Sequence, residues 1–336
     1  MKKRGYFVLL GMIIPIFILG LMSFPATGAE SSKAKPIELR AVAFLPKGNQ
    51  GVETVPWFVD RVNKEAKGEL TVRYVGGPEA IPMFEQPEAV RSGAVDVIFN
   101  VTGFYVGLVP EGLSMQLSQL TPMEERKSGY YDLMLDIHKK KLNAYYLGRF
   151  TSQRPFFIGT TSRIQKPQDL SKKRISTGRI CDPFIKKVGA MAMFLPLTDV
   201  YTALERHMLD GLVFSTGSYN SFHWGEVAKY IVNHPLFPAN NQVILINLNK
   251  WNQIPQHLQD IMKGVAAQIE VEAIDYYLKQ TESDLKTAKN GGSELIEFSN
   301  ADVSWMMKTA LDAQWEEVAE KVSPEVYNQL KKTSSR

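Results

Sequence analysis

The sequence predicts an α/β protein of two lobes, and three observations carry that prediction. Short apolar strands alternate with helix-period segments up to Phe99 and again after Thr151. Without an expected leader of residues 1–29, 307 of the 336 residues remain, enough to favour two lobes over one. A single helical pattern after Pro255 runs on to Lys289. At 1.5 Å per residue it would be about 50 Å long, more than one lobe needs, so it should cross between them.

Each element has its own signal. Ile37–Phe44 reads as a strand, and Trp57, Phe58, Val62 and Ala66 mark one face of the following helix. Leu70–Val75 alternates apolar and polar until Gly76-Gly77-Pro78 breaks it. A helix through Glu88, Ala89 and Val90 ends near Gly93, and Ala94–Phe99 is a third strand. Strand, helix, strand, helix, strand implies a parallel sheet with helices on its faces. A further strand is expected at Lys141–Leu147, before the chain enters the second lobe near Thr151. There the strands are shorter: Phe156–Gly159, Arg174–Ser176 and Leu212–Ser215. Gln242–Leu248 is strongly apolar and should rejoin the first sheet.

The long helix carries Leu258, Ile261, Met262, Val265, Ala266, Ile269, Ala273, Tyr277 and Leu278 on one side and stops at Asn290-Gly291-Gly292. A last amphipathic helix passes through Val303, Met306, Leu311, Trp315 and Val318. This assigns 30–150 and 242–275 to lobe one, and 151–241 and 276–336 to lobe two.

The N-terminus has the three-part layout of an export signal. Lys2, Lys3 and Arg4 precede an uncharged run from Gly5 to Met22, and Thr27-Gly28-Ala29 offers small residues for cleavage after Ala29. The competing reading is an uncleaved anchor; Pro15 and the small-residue exit favour cleavage. Losing the three basic residues takes Lys plus Arg from 39 to 36 against 35 Asp plus Glu. A near-neutral mature chain gives no electrostatic case for nucleic acid or an acidic membrane surface. Cys181 is the only cysteine, so no internal disulfide forms. The expectation is a periplasmic protein with no stable membrane insertion after cleavage.

Local catalytic signatures are missing. His138, His207, His223, His234 and His257 show no metal-ligand spacing, and there is no CxxC, GxSxG or P-loop. The sequence implies neither a cofactor nor a metal.

The run from Asp169 to Phe214 gives the most specific clue. Asp-Leu-Ser-Lys-Lys-Arg-Ile is followed by Val-Gly-Ala, Asp-Val-Tyr-Thr-Ala-Leu and Leu-Asp-Gly-Leu-Val-Phe. That order and spacing resemble the second lobe of the solute-binding proteins of TRAP (tripartite ATP-independent periplasmic) transporters. Lys250-Trp251 and Ile254-Pro255 extend the resemblance, which covers nearly all of the mature chain. It implies a two-lobed periplasmic-binding-protein fold, with a ligand cleft between the lobes and a long helix spanning both. It also implies capture of an organic acid, delivered to the membrane permease subunits of a TRAP transporter, and no enzymatic role. Other classes sharing these features are a binding protein for a sensor or another transporter, and a periplasmic enzyme on the same fold.

Site residues follow from the resemblance position by position. In that family a strand arginine clamps the substrate carboxylate, fifteen residues before a Gly-Ala pair. Counting back from Gly189-Ala190 selects Arg174, whereas counting forward from Asp169 places Ser176 there. Arginine suits the task because its planar fork donates two parallel hydrogen bonds and keeps its charge when desolvated. Arg179 is a rival anchor. Arg154 resembles a second polar contact, with Arg149 as its alternative. Phe214 stands where sialic-acid-binding members carry an asparagine, and Ser215, Tyr219, Phe222 and Trp224 follow. The wall is thus apolar and aromatic, and Tyr219 and Trp224 are counted with Phe214 and Ser215 as candidate contacts. This points to a monocarboxylate with an apolar or aromatic body. Lobe one should contribute Leu45 at the tip of the first strand, and Asn100, Thr102 and Tyr105 at the tip of the third. Asn241, just before the returning strand, completes the set.

Overall fold

Of the 336 residues, this computed structural model describes Gly5 and 35–151, 154–178, 181–237 and 242–335. Apart from Gly5, the expected leader therefore lies outside the described residues. The chain begins β1 (Ile37–Ala43), α1 (Thr54–Glu65), β2 (Leu70–Gly76), α2 (Gln86–Ser92) and β3 (Val97–Val101). Helices α3 (Pro122–Ser128) and α4 (Tyr130–Leu142) lead to β4 (Ala144–Arg149). A crossing enters β5 (Phe156–Thr160), β6 (Arg174–Thr177), α5 (Asp182–Lys187), β7 (Met191–Met193) and α6 (Leu197–Glu205). The second lobe continues with β8 (Gly211–Ser215), α7 (Thr216–Ser221) and β9 (Tyr230–Val232). The chain returns through β10 (Gln242–Asn247), α8 (Leu248–Trp251) and α9 (Gln256–Asn290), then ends with β11 (Glu294–Ile296), α10 (Asn300–Lys321) and α11 (Pro324–Ser334).

Two sheets result, ordered β2-β1-β3-β10-β4 and β11-β9-β5-β8-β6-β7. In the first, β1 is parallel to β2 and β3, and β10 is antiparallel to β3 and β4. In the second, β6 is parallel to β7 and β8, and β5 is antiparallel to β8. Both lobes therefore repeat one plan. Three parallel strands have their first member in the middle, and the next strand is antiparallel, supplied by the chain as it crosses from the other lobe. The carboxyl ends of the parallel strands and the amino ends of β5 and β10 consequently face the same crevice, where open α/β sheets bind ligands. The expected return of Gln242–Leu248 to the first sheet is met by β10, whose six residues are all buried.

Two strands begin later than their apolar runs suggest. Gly93 adopts a left-handed conformation at the end of α2, and the ladder with β1 starts only at Ala41–Val97. Asn143, at φ 47°, closes α4 after Leu142, so β4 begins at Ala144 rather than Lys141. β9 and β11, of three residues each, are too short to leave a periodic signal.

The long helix is present as α9, 35 residues from Gln256 to Asn290. It packs on α1, α3 and β4 of the first lobe and on α7 of the second. Leu258, Met262, Val265, Ala266, Ile269, Ala273 and Tyr277 are buried along it, while Leu278 is exposed. A buried charge network fixes it to lobe one. Glu270 accepts hydrogen bonds from Arg126 Nη2 (2.5 Å) and from the Arg149 backbone N–H (2.8 Å). Arg149 Nη2 in turn donates to Glu125 (2.7 Å). Burial pushes the carboxyls of Glu270 and Glu125 upward, and the adjacent arginines oppose that shift. The C-terminal helices tie the lobes together. α10 packs on Pro110–Leu117 and on α5, and α11, expected on lobe two, packs against α3 and α4. Residues Pro36–Arg336 form one compact unit.

Candidate functional site

The crevice that the topology creates is lined symmetrically. Lobe one contributes Phe44 and Leu45 beyond β1, Met83 and Phe84 after β2, and Val101 and Phe104 at the end of β3. Lobe two contributes Thr177 and Gly178 at the end of β6, Phe194 to Leu197 after β7, and Phe214 and Ser215 of β8. Arg154 and Phe156 near the start of β5, and Gln242 at the start of β10, complete the wall. The cavity encloses about 80 Å³, a few water volumes. Phe84 of lobe one and Phe194 of lobe two meet edge-on across the crevice at 5.5 Å between ring centroids.

Arg154 is the one charged side chain among the described residues lining this cavity. Only 2 % of it is exposed. Its Nη1 donates to the Gln50 carbonyl (2.5 Å), Glu53 Oε2 stands 4.0 Å away, and the Tyr277 ring lies 5.0 Å beneath the guanidinium. Its Nη2 is buried without a hydrogen-bond partner among the described residues. Gly217 makes room for it, because a Cβ there would sit 2.0 Å from Nη2. Burial pushes the Glu53 carboxyl upward, and Arg154 pulls it back. The Tyr277 and Tyr276 hydroxyls point to Glu53 at 3.4 and 3.5 Å.

Two turns further along α9, Asp284 accepts from Thr216 Oγ1 (3.0 Å) and Asn220 Nδ2 (2.9 Å) of α7. The spanning helix thus holds lobe one at Tyr277 and lobe two at Asp284, with Arg154 against the first contact. The other polar groups in the wall are largely engaged. Thr177 Oγ1 donates to Asp182, and the Ser215 and Ser218 hydroxyls pair at 3.2 Å. Gln242 Oε1 is buried and unpartnered among the described residues.

The structure brings Arg154, Leu45, Phe214 and Ser215 of the expected set to the cavity. It does not bring Arg174 there. Arg174 opens β6, whereas the crevice takes the other end of that strand, about 10 Å away at strand rise. Its guanidinium binds Asp210 (2.9 and 3.1 Å) and the His207 carbonyl (2.7 Å). The Asp-Gly step that marked the motif thus supplies the arginine's own counter-ion. Ser176, the alternative count, is fully buried in β6, with its Oγ unpartnered among the described residues.

Asn100, Thr102 and Tyr105 do not line the cavity either, and their side chains find partners within lobe one. Asn100 Nδ2 donates to Gln86 Oε1 (2.8 Å), Thr102 Oγ1 to the Gly112 carbonyl (2.9 Å), and the Tyr105 hydroxyl meets His138 Nε2 at 3.0 Å. Tyr219 and Trp224 lie in the core of lobe two, where Trp224 packs on Phe214 and stacks on Phe222. Arg149, the rival to Arg154, is consumed by Glu125. Asn241 and Arg179 lie outside the described residues.

Phe84, Phe104, Phe156, Phe194 and Gln242 went unnoticed in the sequence. The rule that selected Leu45 applies to them as well: each follows the carboxyl end of a parallel strand or opens an antiparallel one. Among the described residues no cluster of three His, Cys, Asp or Glu side chains could hold a metal ion.

Comparison with known proteins gives a consistent result. The family model of the bacterial extracellular solute-binding proteins, family 7 (DctP), matches residues 43–322. A solute-binding protein of Albidiferax ferrireducens is 21% identical over 310 residues, spanning 89% of this chain and 90% of its own. A monocarboxylate 2-oxoacid-binding periplasmic protein of Nostoc sp. is 23% identical over 301 residues, 84% of this chain and 79% of its own. Among solved structures, a TRAP periplasmic solute binding protein from Desulfovibrio salexigens with bound orotic acid has a TM-score of 0.78 at 16% identity, covering 88% of this chain and 96% of that one. A Bordetella pertussis extracytoplasmic solute receptor binding pyroglutamic acid has a TM-score of 0.77 at 14% identity, covering 88% and 99%. At such identities these two structures establish the two-lobed fold.

Proposed function

The chain belongs to the DctP family of bacterial extracellular solute-binding proteins, the TRAP family its sequence resembles, and from that premise we propose that it captures a small organic acid in the crevice through Arg154. The observation that carries this reading is that Arg154 is the one charged side chain among the described residues lining a mostly apolar cavity, with a buried Nη2 that has no hydrogen-bond partner among the described residues. A carboxylate is the natural complement. It would neutralise a desolvated cation and accept charge-assisted hydrogen bonds from a fork that cannot deprotonate. The bound acids of the related structures and the 2-oxoacid named for the Nostoc relative support a carboxylate.

Ligand contacts to both lobes would favour the closed arrangement, with α9 between Tyr277 and Asp284 as the pivot. The mature protein works outside the cytoplasm, exported by residues 1–29, and hands its ligand to a TRAP membrane permease. In the described residues no helix is long and apolar enough to cross a membrane.

A thermal-shift comparison of residues 30–336 with organic acids and their methyl esters tests this reading. Native-state binding raises Tm, so acids should stabilise the wild type, esters should not, and Arg154→Gln should respond to neither. Equal shifts with acid and ester, or full acid binding by Arg154→Gln, would remove the arginine from the account.

A further inference from the structure

We infer that the crevice selects a monocarboxylate with an aromatic body and rejects sugar acids and dicarboxylates. The inference rests on the reading of Arg154 as a carboxylate partner and extends it to the rest of the ligand.

Six phenylalanines surround the cavity, three from each lobe: Phe44, Phe84 and Phe104 face Phe156, Phe194 and Phe214. Several already form an aromatic train. Phe44 meets Phe104 at 5.9 Å, Phe104 meets Phe84 at 4.9 Å, and Phe84 meets Phe194 at 5.5 Å, all edge-to-face. A ring entering this set finds the same edge-to-face geometry that its walls use among themselves. Met83, Val101, Leu195 and Leu197 add further apolar surface.

The polar inventory excludes the other acids. Arg154 is the one cation among the described lining residues, and Glu53 already stands 4.0 Å from it. A second carboxylate on the ligand would be desolvated with no cation of its own. A sugar acid brings several hydroxyls, each needing a partner. Thr177 Oγ1 donates to Asp182 and the Ser215 and Ser218 hydroxyls pair with each other, so besides Arg154 the wall offers only what these serines have left and the Gln242 amide. Hydroxyls buried against phenylalanine would lose their hydrogen bonds to water without replacement.

Calorimetric titration of residues 30–336 with phenylacetate, phenylacetamide, malonate and galacturonate tests the inference. Phenylacetate should bind at least about 30-fold more tightly than malonate or galacturonate, the factor expected from leaving two polar groups unsatisfied. Phe84→Ser, at a ring that is 45% exposed, should weaken phenylacetate by about 3- to 10-fold. Malonate or galacturonate binding as tightly as phenylacetate would overturn the aromatic selection and leave the organic-acid reading intact. Phenylacetamide binding as tightly as phenylacetate would overturn the role of Arg154. No binding by any of the acids would overturn both.

Discussion

His138 should make this protein lose stability as the pH falls below neutrality, and replacing it should remove that part of the loss. The imidazole is fully buried in lobe one. Its Nδ1 lies 2.7 Å from the Met134 carbonyl, which only an N–H can satisfy, so Nε2 is the acceptor for the Tyr105 hydroxyl at 3.0 Å. The ring also stacks on Tyr146 at 5.5 Å. That arrangement is complete with a neutral ring, and burial pulls the His138 pKa down from 6.5 to about 4, against weaker opposition from the Met134 hydrogen bond and Glu111.

A depressed pKa in a base means the unfolded chain binds more protons below about 6.5. The contribution of His138 is therefore fully present above that pH, falls as the pH drops from 6.5 towards 4, and levels off below 4. Linkage gives a loss of about 2 kcal/mol at pH 5, growing to about 3.4 kcal/mol well below pH 4. Chemical denaturation of the wild type and His138→Gln at pH 7.5 and pH 5 isolates it. Carboxylates elsewhere change both proteins alike, so the wild type should lose about 2 kcal/mol more than the variant between the two pH values. Equal losses, or an NMR titration of His138 with a midpoint above 6, would refute the argument.

Two further substitutions separate structure from binding. Glu270→Gln leaves Arg126 and the buried Arg149 with Glu125 as the remaining anion of the network, and should cost about 3–5 kcal/mol, read from the denaturation midpoint at pH 7. Arg174→Ala removes an ion pair that lies at the far end of β6 from the crevice. Acid binding measured by calorimetry should be unchanged, and loss of binding would return Arg174 to the site.

Much of the fold was legible because period and punctuation agreed. Ile37–Phe44, Leu70–Val75 and the helix from Gln256 each carry an uninterrupted pattern, the last two closed by Gly or Asn, and each forms where expected. The return of β10 was legible from its apolar run alone. β7, β9 and β11 were not, since three residues cannot show a period of two.

The site was only partly legible, for a different reason. Spacing along the chain selects residues near a strand, but strand polarity decides which end meets the crevice. Arg174 and Thr177 belong to one four-residue strand, and only Thr177 lines the cavity. Asn100 and Tyr105 mark a strand tip correctly, yet their side chains close hydrogen bonds inside lobe one. Arg154 was identifiable as an arginine at the lobe crossing. What sets it apart, its place as the one charged side chain among the described residues of a wall that draws phenylalanines from both lobes, exists only once the two sheets are brought face to face.

The most direct test of the central claim is a crystal structure of residues 30–336 with the tightest-binding acid of the titration series. The account predicts a carboxylate oxygen within about 3.2 Å of Arg154 Nη2, with the body of the ligand among the six phenylalanine rings. A carboxylate resting on Arg174, or an Arg154 that keeps only Gln50, Glu53 and Tyr277 as neighbours while the acid binds elsewhere, would contradict it.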